Sequence, residues 1–121
     1  MNKVILAITT LLLISLNACT SEVICTMDFR AVMVEIPNLE LDETITIDQV
    51  RGETAVVSSA PYPSKIYTVL SDNYLDELKN KEHNFRFLGL MNGDTLVDEV
   101  YAIGADDCHI YKVSGPATIE K

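Results

Sequence analysis

Basic side chains, histidine and cysteine are all scarce in this chain. Of its 121 residues nine are lysine or arginine and 18 are aspartate or glutamate, a formal net charge of −9. That balance excludes recognition of nucleic acid or of anionic lipid through a basic patch. It fits an acidic, self-repelling surface. The two histidines, His83 and His109, stand in no motif with a serine, whereas a nucleophile needs a base and an orienting group within reach. No HxxE-type zinc motif is present. No catalytic residue, metal ligand or cofactor is assigned on this basis, and the expectation is a protein that is not an enzyme. No apolar run reaches the ~20 residues of a membrane-spanning helix, and no internal repeat stands out.

What is present begins at the N-terminus. Lys3 supplies a short positive start, Val4 to Leu16 form an apolar run, and Ala18 is a small residue before Cys19. That is the layout of a secretory signal peptide. Leu16-Asn17-Ala18-Cys19 resembles the lipobox of bacterial lipoproteins, departing from its commoner forms at Asn17. The resemblance implies cleavage before Cys19 and acyl chains, palmitate among them, on that cysteine. More than one acyl chain gives stable attachment, at ~0.8 kcal/mol per buried methylene. Thr20 replaces the aspartate that often retains such proteins at an inner membrane. The implied location is therefore the outer membrane, in its periplasmic or its cell-surface leaflet. The expected organisation is a signal peptide at 1–18, a lipidated tether at 19–24 and one domain at 25–121.

Removing residues 1–18 takes away Lys3 and no acid, which leaves a balance of about −10 on about 103 residues, enough for one small core. Strand-like alternation runs through that part. In the stretch from Thr26 to Ile36, Met27, Phe29, Ala31 and Met33 share one face, and Val32, Val34 and Ile36 share the other. A bulge near Ala31 is one way to switch the covered face. Ile45 and Ile47 alternate against Thr44, Thr46 and Asp48. Residues 54–59, 65–70, 84–91, 95–104 and 108–116 read as further strands. Asn92-Gly93 marks a hairpin, since both tolerate positive φ. Ser71 or Asp72 caps a short helix with Tyr74, Leu75 and Leu78 on its apolar side. Seven short strands spaced by turns read as an all-β, two-sheet β-sandwich with one short helical turn, with a small barrel as the alternative.

With Cys19 lipidated, Cys25 and Cys108 remain in an exported compartment where disulfides persist, and one pairing is open to them. The expected bridge joins the head of the first strand to the head of the last. Asp106, Asp107, Cys108 and His109 carry groups that bind transition metals, but adjacent strand residues point to opposite faces. His83 is placed in a polar turn, and His109 is expected to be a structural histidine near the bridge. Glu40, Asp42 and Glu43 form a short acidic run without the spacing of a calcium loop.

Three motifs carry a wider resemblance: Cys25-Thr26-Met27-Asp28-Phe29-Arg30, Val69-Leu70-Ser71-Asp72-Asn73-Tyr74, and Asp106-Asp107-Cys108-His109-Ile110 through Ser114-Gly115-Pro116. They resemble small secreted Bacteroidota domains similar to the carboxypeptidase regulatory-like, transthyretin-like sandwich, and the resemblance implies a seven-stranded Ig-like arrangement. The resemblance implies the disulfide and a non-catalytic framework, and brings no ligand site. The expected role is a binding or structural accessory of the cell envelope, with a protein or an envelope polymer as partner. The alternative expectation is a small periplasmic inhibitor of an exported hydrolase, offering residues 62–65 or the Asn92 turn as a firm loop.

Overall fold

The computed structural model describes residues 23–59 and 65–121. The expected signal peptide, Cys19 and most of the 62–65 loop lie outside them. Seven strands follow in order: β1 (Ala31–Glu35), β2 (Glu43–Asp48), β3 (Glu53–Ser59), β4 (Ile66–Ser71), β5 (Glu82–Met91), β6 (Asp94–Ala105) and β7 (Ile110–Ser114). A 3-10 turn (Asp72–Tyr74) and a one-turn helix α1 (Leu75–Leu78) join β4 to β5. β1 and β4 form a two-stranded antiparallel sheet, and the other five pair antiparallel in the order β3-β2-β5-β6-β7. The architecture is the all-β sandwich expected, with one short helix.

Turn chemistry sets the large sheet. Asn92 and Gly93 take φ of 51° and 82°, the left-handed pair a tight hairpin needs, and so β5 and β6 fold directly onto each other. Asp48 accepts the Val50 and Arg51 amides at 3.0 and 3.2 Å, which bends the chain from β2 into β3. Ser71 caps the 3-10 turn through the Asn73 amide. Tyr74 and Leu78 are then buried and Leu75 packs against the core, as the apolar side of that segment predicts.

The core fills the space between the sheets. β1 gives Val32 and Val34, and Ile36 follows; β4 gives Tyr67, Val69 and Leu70; β5 gives Phe85 and Phe87; β6 gives Val97, Tyr101 and Ile103. Each such side chain contributes roughly 1.5–3 kcal/mol on burial. Phe87 meets Tyr101 edge to face, with centroids 6.2 Å apart. Tyr101 donates its hydroxyl to the Pro116 carbonyl at 2.6 Å. Gly115, at φ 125°, lies flat on that ring, where a Cβ would sit 2.3 Å from it.

The last residues stitch the two sheets together. Glu35 donates its amide to Ala117 and accepts from Ile119, at 3.0 and 2.8 Å. This lays the tail parallel to the end of β1. Ile119 is buried there.

The structure decides the covered face of β2 and shifts two sequence expectations. In β2 the buried face is Thr44, Thr46 and Asp48, not Ile45 and Ile47. Alternation says which residues share a face and is silent on which face is inside. His83 lies within β5 and is buried, not in a turn, because Asp48 on the neighbouring strand β2 gives its ring a partner. The last strand starts at Ile110, so Cys108 and His109 belong to the corner before it. On β1 the covered face is Val32 and Val34, while Met27, Phe29, Ala31 and Met33 stay exposed. The irregularity in its pairing falls between Val32 and Met33.

Candidate functional site

The corner ahead of β7 is held by its own first residue. Asp106 accepts the Cys108 and His109 amides at 2.7 and 2.8 Å, and its amide donates to the His109 carbonyl at 3.1 Å. This turns Cys108 toward Cys25. The two sulfurs are bonded at 2.03 Å with Cα atoms 5.2 Å apart. The same turn drives the His109 ring inward, where it is buried.

Asp72, the first residue of the 3-10 turn after β4, meets that ring. One carboxylate oxygen bonds His109 Nδ1 at 2.7 Å and the Arg30 amide at 2.8 Å; the other accepts the Ile110 amide at 2.9 Å. The Asp72 amide in turn donates to the Arg30 carbonyl at 2.9 Å. One carboxylate therefore ties the approach to β1 to the start of β7. Beyond the ring, His109 Nε2 lies 2.8 Å from the Thr26 hydroxyl. Since Asp72 accepts at Nδ1, a neutral ring accepts at Nε2 from Thr26.

Hydroxyl, imidazole and carboxylate in that order form the chain that activates a nucleophile in many hydrolases. Here it runs beside a disulfide, at the root of an exposed segment. An open cleft of about 570 Å³ lies nearby, lined by residues 29–33 and 110–112 and by none of the three relay residues. The geometry holds the two strand heads together.

A second polar cluster lies deep in the core. Asp48 is fully buried. Its second carboxylate oxygen accepts from the Tyr74 hydroxyl at 2.8 Å and meets His83 Nδ1 at 2.9 Å. Burial pushes this carboxyl up, but the bonds from His83, Tyr74, Arg51 and Val50 outweigh it and leave the group below its ordinary value. The Tyr74 phenol is pushed well above its usual range, by burial first and the Asp48 carboxylate second.

Asp72 follows the same logic: burial raises it, and the His109 ring with the Ile110 and Arg30 amides lower it further than that. Asp106 is lowered by the Cys108 and His109 amides. A carboxyl with a folded pKa below its unfolded value stabilises fully above the unfolded value, here 3.8, and loses that contribution as pH falls through the folded one. Thermal midpoints are therefore expected to hold from neutral pH down to about 4 and to drop below it. Asp72→Asn is expected to flatten part of that drop. An unchanged acid profile in the variant would remove Asp72 from the account.

Of the residues weighed as metal ligands, Cys108 is spent in the disulfide, His109 is engaged at both nitrogens, and Asp107 accepts from Asn80 at 2.8 Å. In the acidic run, Asp42 caps the Asn92 amide at 2.9 Å, and Glu40 faces Lys65 at 3.8 Å. Among the described residues no three His, Cys, Asp or Glu side chains gather as a metal site.

The linkage of Thr26, Asp72 and His109 was not read from the sequence, yet the signal was there. Each of the three quoted motifs supplies one of these residues. The end of the third motif is fixed separately, where Gly115 and Pro116 pack and bond onto Tyr101 of β6. In comparisons with family models, curated proteins and solved structures, the chain matches none.

Proposed function

We propose that this chain is a lipid-anchored cell-envelope protein whose sandwich is a non-catalytic binding module. The observation that carries the reading is the Cys25–Cys108 bridge. It accounts for two of the three cysteines in the sequence and leaves Cys19, in its lipobox-like setting, to take the lipid. A disulfide in so small a domain also fits export to an oxidising compartment. The tether from Cys19 to Cys25 spans at most ~20 Å, which keeps the domain near its membrane. The convergence of the three motifs on one end fits the small secreted sandwich domains that they resemble. The relay supports a clasp rather than chemistry, because each of its groups bonds across segments that the disulfide also joins.

Cells producing the Cys19→Ala chain, fed an alkyne-tagged palmitate, are expected to show no label on the protein and to release it from the membrane fraction. Labelled, membrane-bound Cys19→Ala protein would rule out the anchor. Cross-linked capture from the intact envelope then identifies the partner of the anchored form.

A further inference from the structure

We propose that the gap between β1 and β7 receives an extended acidic segment of a partner polypeptide, which adds as a strand along Ala31 and Met33. This deepens the reading as a binding module and rests on it, but not on the lipid anchor.

The backbone supplies the first argument. The Arg30 carbonyl accepts from Asp72 and the Ile36 amide donates to Lys65, so these positions face β4. Alternation along an antiparallel ladder then turns Val32 and Val34 toward β4, and Ala31, Met33 and Glu35 toward the opposite edge. Glu35 is occupied on that edge by Ala117 and Ile119 of the tail. Among the described residues no backbone partner meets Ala31 or Met33 there. β7 is the outer strand of the large sheet, and its first outward amide, at Ile110, is taken by Asp72. Two strand edges thus flank one gap, and the chain's own tail fills only its far end. The occupant already present is an extended segment parallel to β1, and the empty part continues the same line. An open edge of this kind is a template for strand addition.

The lining supplies the second argument. The gap is the cleft of about 570 Å³ between residues 29–33 and 110–112. Phe29, Met33 and Tyr111 are exposed along it, at 64%, 42% and 48%. Its charged lining residues are Lys112 and Arg30, the latter faced by Asp28 at 3.9 Å, with no acid in the lining itself. In a chain with twice as many acids as bases, this is a basic, apolar slot on an acidic surface. It selects acidic side chains alternating with apolar ones, and its own Arg30 and Lys112 disfavour basic segments by like-charge repulsion.

The test is a ¹⁵N amide titration of the full chain in mild detergent. The probe is an octapeptide of alternating glutamate and valine. Shifts are expected at Ala31, Met33 and Lys112 and their neighbours. An octapeptide of alternating lysine and valine, and the glutamate peptide with alternate amides N-methylated, are expected to bind at least about tenfold more weakly. Lys112→Glu is expected to weaken the glutamate peptide by about fivefold or more with the thermal midpoint unchanged. No shifts, shifts elsewhere, or equal binding of both charge types overturns the proposal. If a partner captured from the envelope binds Lys112→Glu as well as the parent, the cleft proposal falls while the binding reading stands. If the anchored chain captures nothing, the binding reading falls with it.

Discussion

Replacing Cys25 and Cys108 together by serine is expected to lower stability by about 4 kcal/mol on the chain-entropy account. The bridge spans a sequence separation of 83 residues, so it removes a large loop-closure freedom from the unfolded chain. For a domain of this size the melting midpoint should fall by on the order of 20 °C. The double variant avoids a free thiol, so the difference reads the cross-link alone. The locus of the loss matters as much as its size. Residues 23–30 are exposed throughout, and the contacts that hold them are the bridge, the Thr26–His109 bond and the Arg30–Asp72 bonds. Amide exchange in the variant should therefore accelerate first between Cys25 and Arg30. A midpoint shift of only a few degrees would mean that the Asp72 clasp holds the strand heads unaided.

Asp48→Ala is expected to cost about 3–5 kcal/mol, because it strips a fully buried carboxylate from partners that stay buried. The Tyr74 hydroxyl, His83 Nδ1 and two backbone amides would each lose their acceptor. A buried donor left unmatched costs far more than the net gain of making the bond. Asp98→Ala makes the contrast. That carboxylate pairs with Arg86 at 2.6 and 2.9 Å, but both side chains are nearly half exposed, and exposed pairs contribute little. Urea unfolding of the two variants should separate them clearly. Equal losses would show that the Asp48 cluster is not the hub its geometry describes.

These two sites also mark what sequence could and could not convey. The bridge was legible because assigning Cys19 to a lipid leaves one pairing open to the other two cysteines. The Asn92 hairpin and the Tyr74 and Leu78 side of α1 were legible because turn and cap chemistry act locally. Asp48 was not, since its partners Tyr74 and His83 lie 26 and 35 positions away. An aspartate at the end of an isoleucine–threonine alternation reads as solvent-facing until they are placed. The same gap reversed β2: threonine suits a pleated strand on either face, and only the packing of the sheets decides which is covered. The clasp was half legible. Thr26, Asp72 and His109 each sit in a recognisable motif, but their meeting depends on strand order, which periodicity does not carry.

The account gives each cysteine a separate fate, and one measurement reads all three. Intact mass of the chain taken from its own envelope, alkylated before and after reduction, reports the N-terminus, the lipid and the thiols together. The account predicts a chain that starts at Cys19 and carries acyl mass, with no alkyl group added before reduction and two added after it. A chain that takes up alkyl groups before reduction, or one that still carries residues 1–18 without lipid, would contradict it.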